Sequence, residues 1–307
     1  MSARAMPGPP GTGGGGFVSF MERHIAYVLI APTLLGIAVV NLYPLAYAVF
    51  ISFQEKKLST RNQHFVGFEN YQRLLADPEI LNSMRLSLIF VVCSVAFSFL
   101  IGLILALLLN RPLPGRAVIR SLFIVPWAIP AFVAALTWAW MYNDQFGIVN
   151  ALMKSGGVAH PPIWLSREHA LAALIVVMVW KSFPFQLVVL LAGLQAIPGE
   201  LYEAAAVDGA PAWRRFWGIT VPLLRPIAGV SVLLACINAF HYFSIPWVLT
   251  RGGPSNATNL IPIATYNIAF ATGDLGYGSA AAILMFLVIL AASTIYLWSY
   301  LRSEREA

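Results

Sequence analysis

The sequence predicts an all-α integral membrane protein, a bundle of six spans. Three observations carry that expectation. Only 10% of the 307 residues are charged, 59% are hydrophobic, and the mean hydropathy is +0.75; a soluble domain carries roughly 25% charged residues. The apolar residues gather into six runs, each near the roughly 20 residues a helix needs to cross the hydrocarbon core. Such runs satisfy their backbone groups in lipid only as helices, because hydrocarbon offers no hydrogen-bond partner.

Met1 to Gly16, read MSARAMPGPPGTGGGG, is rich in glycine and proline and has no apolar face. It reads as a disordered tail, which we extend over residues 1–22, with a transmembrane domain over residues 23–307. It is not a signal peptide, since the first apolar run is too long and lacks a small-residue cleavage site. That run covers about Ile25–Phe53, with Pro32 and Pro44 as expected kinks. The second covers Leu86–Leu109, and the third Val118–Met141, where Pro126 and Pro130 interrupt the helix. The fourth covers Ala170–Leu194, the fifth Ile227–Leu249 and the sixth Gly278–Leu301. Proline within a span is tolerated where neighbouring helices or a cavity satisfy the freed carbonyls, which suits a protein that moves. Cys93 and Cys236 lie inside apolar runs and act as small hydrophobes, with no disulfide or metal-binding spacing.

Lysine and arginine placement sets orientation. With the N-terminus cytoplasmic, the inside segments hold ten basic residues against eight outside, and five of those eight fall in the first loop. That loop also carries Glu55, Glu69, Asp77 and Glu79, and without it the ratio is ten to three. Both termini are therefore expected inside.

Between the fourth and fifth runs lies the polar segment Glu200–Arg225. Leu201 to Val207 suits a short, alanine-rich helix. Gly209 and Pro211 then force a turn, and Ala212 to Thr220 suits a second helix, with Trp213, Phe216, Trp217 and Thr220 at helical spacing. Small side chains on the first helix permit close backbone approach, and the aromatics of the second supply anchoring area.

Catalytic constellations are absent. No GxxxxGK[ST] loop cradles a nucleotide, and no GxSxG elbow or HExxH zinc helix occurs. His24, His64, His160 and His169 are scattered outside the spans, and only His241 lies within one. No enzyme activity, metal, cofactor or nucleic-acid partner is expected. Lys181, mid-way along the fourth span, costs at least about 2.5 kcal/mol to insert. It faces a cavity and a hydroxylated or anionic solute, pairs with a partner subunit, or snorkels. Asn238, His241, Tyr242 and Ser244 cluster in the fifth span. They either contact solute, through ring stacking and amide hydrogen bonds, or join helices to one another.

Glu203-Ala204-Ala205, Asp208-Gly209-Ala210, Ile219 and Pro222 closely resemble the EAA loop of bacterial ABC importer permeases. Phe65-Val66-Gly67-Phe68-Glu69-Asn70-Tyr71 is similar to the FVGLxNY element of carbohydrate-type permeases. Gly147-Ile148-Val149-Asn150 with Trp164-Leu165 is similar to their loop between spans three and four. Trp180-Lys181, Pro184-Phe185, Leu191-Ala192-Gly193-Leu194-Gln195 and Ile197-Pro198 match their approach to the EAA loop. Leu249-Thr250-Arg251-Gly252-Gly253-Pro254 matches their LTxGGP turn. The resemblance runs from about Ile25 to Leu301, closest to the first-of-pair subunit of the maltose and glycerol-3-phosphate type. The family often has Phe-Asp before that turn, where this chain has Phe243-Ser244.

The resemblance implies the six-span transmembrane domain of a type I ABC importer in a bacterial cytoplasmic membrane. Residues 199–222 would form the cytoplasmic coupling loop, with Glu203, Ala204 and Ala205 fitting an ATPase groove, Gly209 permitting the turn, and Trp213, Phe216 and Trp217 coupling the hairpin to the spans; Asp208, Ile219 and Pro222 belong to the same ATPase-coupling set. The implied partners are a second permease, two ATPase subunits, an extracytoplasmic solute-binding protein and membrane lipid. The implied cargo is a sugar or polyol. A phosphorylated polyol, such as glycerol phosphate or a glycerophosphodiester, is the alternative, and a membrane enzyme or sensor without an ATPase is the reading from another class.

Overall fold

The computed structural model describes residues 16–59, 63–112 and 114–305. The chain divides between Phe50 and Ile51 into two units. The first contains helix α1 (Gly16–Ile37), a wider π-type turn at Ala38–Leu42, and the start of α2 (Tyr43–Ser52). Helix α1 begins within the stretch expected as a tail to residue 22; Phe17, Val18, Phe20 and Met21 extend the apolar run toward the N-terminus. Residues 1–15 lie outside the described residues. Pro32 is inside α1, and Asn41 Nδ2 donates to the Ile37 carbonyl at 3.2 Å beside the wide turn.

The second unit opens with a hairpin of β1 (Gln54–Lys56) and β2 (Gln63–Phe65), antiparallel with Glu55 opposite His64. Helix α3 (Glu69–Ala76) follows, acidic in its first turn and basic in its last, as the helix dipole favours. Helix α4 spans Pro78–Leu109. The Asp77 carboxylate accepts from the Glu79 N–H at 2.9 Å and Pro78 occupies the first turn, so the helix starts eight residues before the apolar run does.

The third span is two helices, α5 (Arg116–Ala128) and α6 (Ala131–Met141), meeting at 94°. Pro130 pushes Ile129 into an extended conformation (φ −66°, ψ 131°), which ends α5. Helix α7 (Ile148–Ser155) and then α8 (Ala170–Gln195), with Pro184 inside it, complete the middle of the chain. Next come α9 (Gly199–Val207), α10 (Ala212–Arg215), a π-type turn at Phe216–Thr220, and α11 (Val221–Phe240). The expected separate second helix of the loop is thus continuous with the fifth span. The helical run extends from Ala212 rather than starting at Ile227, and the π-type turn at Phe216–Thr220 already shifts the hydrogen-bond ladder just before Pro222. Helices α12 (Ser244–Leu249), α13 (Ile261–Tyr266), a third wide turn at Asn267–Ala271, and α14 (Leu275–Arg305) finish the fold.

Among the described residues five helices are long and apolar enough to cross a membrane, and the bent α5–α6 pair, taken as one span, makes six. The core sits between α4 and α8. Ser83, Ser87, Ser94, Ser98, Gly102 and Ala106 are buried along one side of α4, so small residues let α8 come close. Phe90, Leu174, Leu187, Leu190 and Ile245 fill the space around this contact.

Candidate functional site: a coupling hairpin and an intramembrane cavity

The α9–α10 hairpin owes its shape to Gly209. The residue has φ +73°, the left-handed region that glycine enters without penalty. The Ala210 N–H bonds the Ala205 carbonyl at 2.9 Å and the Gly209 N–H bonds the Ala206 carbonyl at 3.1 Å, a Schellman cap that closes α9. Pro211 then starts α10 in the extended region, and its carbonyl accepts from the Arg214 and Arg215 N–H groups. Tyr202 and Thr220 hydroxyls meet at 2.9 Å and tie the two arms together.

Glu203, Ala204, Asp208, Gly209, Trp213 and Pro222 are exposed; Ala205, Phe216 and Ile219 are half-buried. Leu201, Val207, Trp213 and Trp217 also present apolar surface, and Val207 is 89% exposed. The Phe216 and Trp217 rings pack edge to face, 5.3 Å apart. The hairpin presents a small, apolar and acidic tip.

The second feature is a cavity of about 320 Å³ between α4, α8 and α11, with Trp127 of α5 at its wall. Of the residues expected on a solute path, Lys181, Asn238 and Tyr242 line it. His241 and Ser244 do not; His241 caps the end of α11, where its Nδ1 contacts the Ile237 carbonyl at 2.7 Å, and Ser244 is the first residue of α12. Asn238 Nδ2 donates to the Leu234 carbonyl at 2.9 Å, leaving its Oδ1 for the cavity. Sequence reasoning missed Ser94, Ser98, Ser182, Trp127 and Phe185, which also line the space. The signal for the first two was the recurrence of serine at helical spacing in the otherwise apolar second run. Ser94 Oγ is buried with no hydrogen-bond partner among the described residues.

Lys181 lines this cavity and is also held by the end of α5. Its ammonium donates to the carbonyls of Pro126 and Trp127, both at 3.0 Å, and to that of Ile129. These belong to the end of α5, whose last carbonyls have no partner within the helix, and Pro130 has no N–H to offer. All three ammonium hydrogens are therefore taken, and the charge sits at the negative end of the α5 dipole.

The loops carrying the other resemblances act as staples. Asn70 Nδ2 donates to the carbonyls of Ser52 and Gln54 at 2.9 and 3.0 Å. Trp164 Nε1 donates to Asn150 Oδ1 at 2.8 Å. After α12 the turn uses Arg251 at φ +51° and Gly252 at φ +88°, and the Thr258 hydroxyl lies 2.7 Å from both the Thr250 hydroxyl and the Gly253 carbonyl. Arg73 stacks 4.1 Å above the Tyr277 ring, and the Tyr277 hydroxyl donates to Asp77 at 2.7 Å. Burial disfavours the charged form of Asp77, but that hydroxyl and the N–H groups of Glu79 and Ile80 prevail and hold its carboxyl below the usual range.

The family of binding-protein-dependent transport system inner membrane components matches residues 98–305. The chain is 39% identical over 281 residues to the trehalose/maltose transport system permease protein of Thermococcus litoralis, covering 91% of this chain and 95% of that one. It is 35% identical over 278 residues to the sulfoquinovosyl glycerol transport system permease protein of Agrobacterium fabrum, covering 90% of each. Its fold matches a bacterial ABC transporter involved in the import of the acidic polysaccharide alginate, with a TM-score of 0.81 over 94% of this chain and 99% of that one at 21% identity. The exposed hairpin, the bent span and the six-span bundle are thus those of a transport subunit and not of an enzyme: the chain belongs to the inner membrane permeases of binding-protein-dependent ABC importers.

Proposed function

We propose that the chain forms half of an alternating-access path for an uncharged sugar or polyol, with a second permease subunit supplying the other half. The observation that carries the cargo class is the chemistry of the cavity. Its polar lining residues besides Lys181 are Ser94, Ser98, Ser182, Tyr242 and Asn238, beside Trp127 and Phe185, with the Ser98 hydroxyl donated to the Val95 carbonyl at 3.1 Å. Hydroxyls and amides hydrogen-bond to sugar hydroxyls, and aromatic faces stack on the apolar faces of sugar rings. Lys181, the one ionisable side chain with a basic group in the lining, has its donors committed to α5, which disfavours a phosphorylated cargo. The name of the Thermococcus relative, a trehalose/maltose permease, supports the same class.

In this reading the α9–α10 hairpin projects into the cytoplasm, as do both termini, and enters a groove on one of two ATPase subunits. Glu203 and the alanines contact the groove while Trp213, Phe216 and Ile219 transmit its motion to α11. Closure of the ATPases tilts the spans around the cavity, and an extracytoplasmic binding protein delivers the solute.

The test is ATPase activity of the reconstituted importer with its binding protein, against neutral disaccharides, polyols and glycerol phosphate. Stimulation by a neutral sugar or polyol, lost in Glu203→Lys, is the expected result. Stimulation by glycerol phosphate alone overturns the cargo class, and full stimulation in Glu203→Lys overturns the coupling role.

A further inference from the structure

A second cavity, of about 250 Å³, lies at the hairpin end of the bundle and is lined by Leu109, Arg116, Ala117, Arg120, Leu191 and Gln195. It sits where α4 ends, α5 begins and α8 ends, four residues before α9 starts. Arg116 and Arg120 are one helical turn apart and both exposed, so their guanidinium groups share one side of α5. Neither makes an ion pair or hydrogen bond with any described residue. No acidic residue occurs from Ile80 to Asn143 or from His169 to Gly199, so the segments that build the cavity supply no counter-charge.

Two arginines and a primary amide form a donor set for phosphate oxygens. The remaining walls, Leu109 and Leu191, are buried and apolar. The level in the membrane chooses the source of the phosphate. The cavity sits at the ends of two helices long and apolar enough to cross a membrane, Pro78–Leu109 and Ala170–Gln195, and Leu108, next to its Leu109 wall, is 47% accessible. A basic pocket between the ends of such helices stands at headgroup depth. We propose that this cavity binds the headgroup phosphate of an anionic phospholipid, bridging the ends of α4, α5 and α8 next to the coupling hairpin.

The experiment is native mass spectrometry of the assembled importer equilibrated with mixed micelles of dioleoylphosphatidylglycerol and dioleoylphosphatidylcholine. Wild type is expected to retain phosphatidylglycerol, and Arg116→Gln/Arg120→Gln to retain about thirtyfold less of it, from roughly a kilocalorie's worth of attraction for each of the two basic residues. Arg116→Lys/Arg120→Lys keeps the charge, controls for folding, and is expected to restore most of the retention. Equal retention in wild type and the glutamine variant overturns the proposal. So does displacement of the lipid by millimolar inorganic phosphate, which marks a free-anion site. Loss of the ATPase subunits from the glutamine variant with lipid retention unchanged assigns the arginines to a subunit contact instead.

Discussion

Gly102 of α4 lies so close to Gln186 of α8 that a methyl group added at Gly102 would stand 2.6 Å from the Gln186 Cβ and 2.9 Å from the Leu187 backbone nitrogen. Gln186 in turn donates its side-chain amide to the Ser231 carbonyl of α11 at 3.3 Å. One missing side chain therefore brings three spans together around the proposed path. Backbone atoms are among the obstructed neighbours, so they have no rotamer with which to escape.

Gly102→Val forces α4 and α8 apart. Overpacking of this kind costs about 1–3 kcal/mol, and we expect a lower thermal midpoint and reduced yield of folded protein in size-exclusion chromatography. Gly36→Val, where nothing lies within 4 Å of the added Cβ, should leave both measurements near wild type.

Gly209 offers the opposite case. Nothing lies within 4 Å of an added Cβ, so only its φ of +73° resists substitution. Gly209→Ala should cost about 1–2 kcal/mol locally, loosening the Schellman cap and lowering the amount of ATPase subunit that co-purifies. Gly209→Asn should recover part of the loss, because asparagine enters the left-handed region more readily. Equal co-purification in all three proteins would separate the turn from ATPase docking.

Lys181→Met removes all three bonds to the end of α5 and leaves carbonyls that are half-buried or exposed without those donors, a typical hydrogen bond being worth about 0.5–1.5 kcal/mol net. We expect a lower thermal midpoint even without solute, and a fall in maximal transport larger than the change in KM. Lys181→Arg should recover stability in part. A variant changed in KM alone, with unchanged stability, would place Lys181 on the solute and not on the broken span.

The Asp77 carboxyl is held below its ordinary 3.8 in the folded protein. A depressed carboxylate contributes stability that is present above the unfolded value and is lost as pH falls through the folded one. Wild type should therefore lose thermal stability below about pH 4 more steeply than Asp77→Asn, which lacks that contribution at every pH. Tyr277→Phe should flatten the same acid limb, since its hydroxyl is a main donor to Asp77. Parallel melting curves for the three proteins across this range would remove Asp77 from the account.

Much of the fold was legible because its signals are local. Six apolar runs became five long helices and one bent pair, and Pro130 announced the bend through its effect on Ile129. The turn at Gly209 followed from the one residue that takes positive φ freely. Less legible were the short helices α3 and α7, the β hairpin and α13, whose stability comes from distant partners. Ser87, for example, accepts the Ile261 N–H at 2.8 Å across 174 residues. The continuity of α10 with α11 was also hidden, because prolines at 222 and 226 suggest a boundary that a wide turn absorbs.

The sequence by itself determined the class of protein and the chemical character of its parts. Hydropathy fixes which segments enter lipid, and the spacing of glutamate, alanines and glycine shapes the hairpin, because both depend on residues near one another in the chain. Only the tertiary structure decided which polar side chains share a space. It gathered Ser94, Asn238 and Tyr242 into one cavity, left His241 and Ser244 out of it, and turned Lys181 toward the carbonyls of a helix more than fifty residues away. The physical reason is that a buried donor goes to the nearest unsatisfied acceptor, and where that acceptor lies depends on how the helices pack.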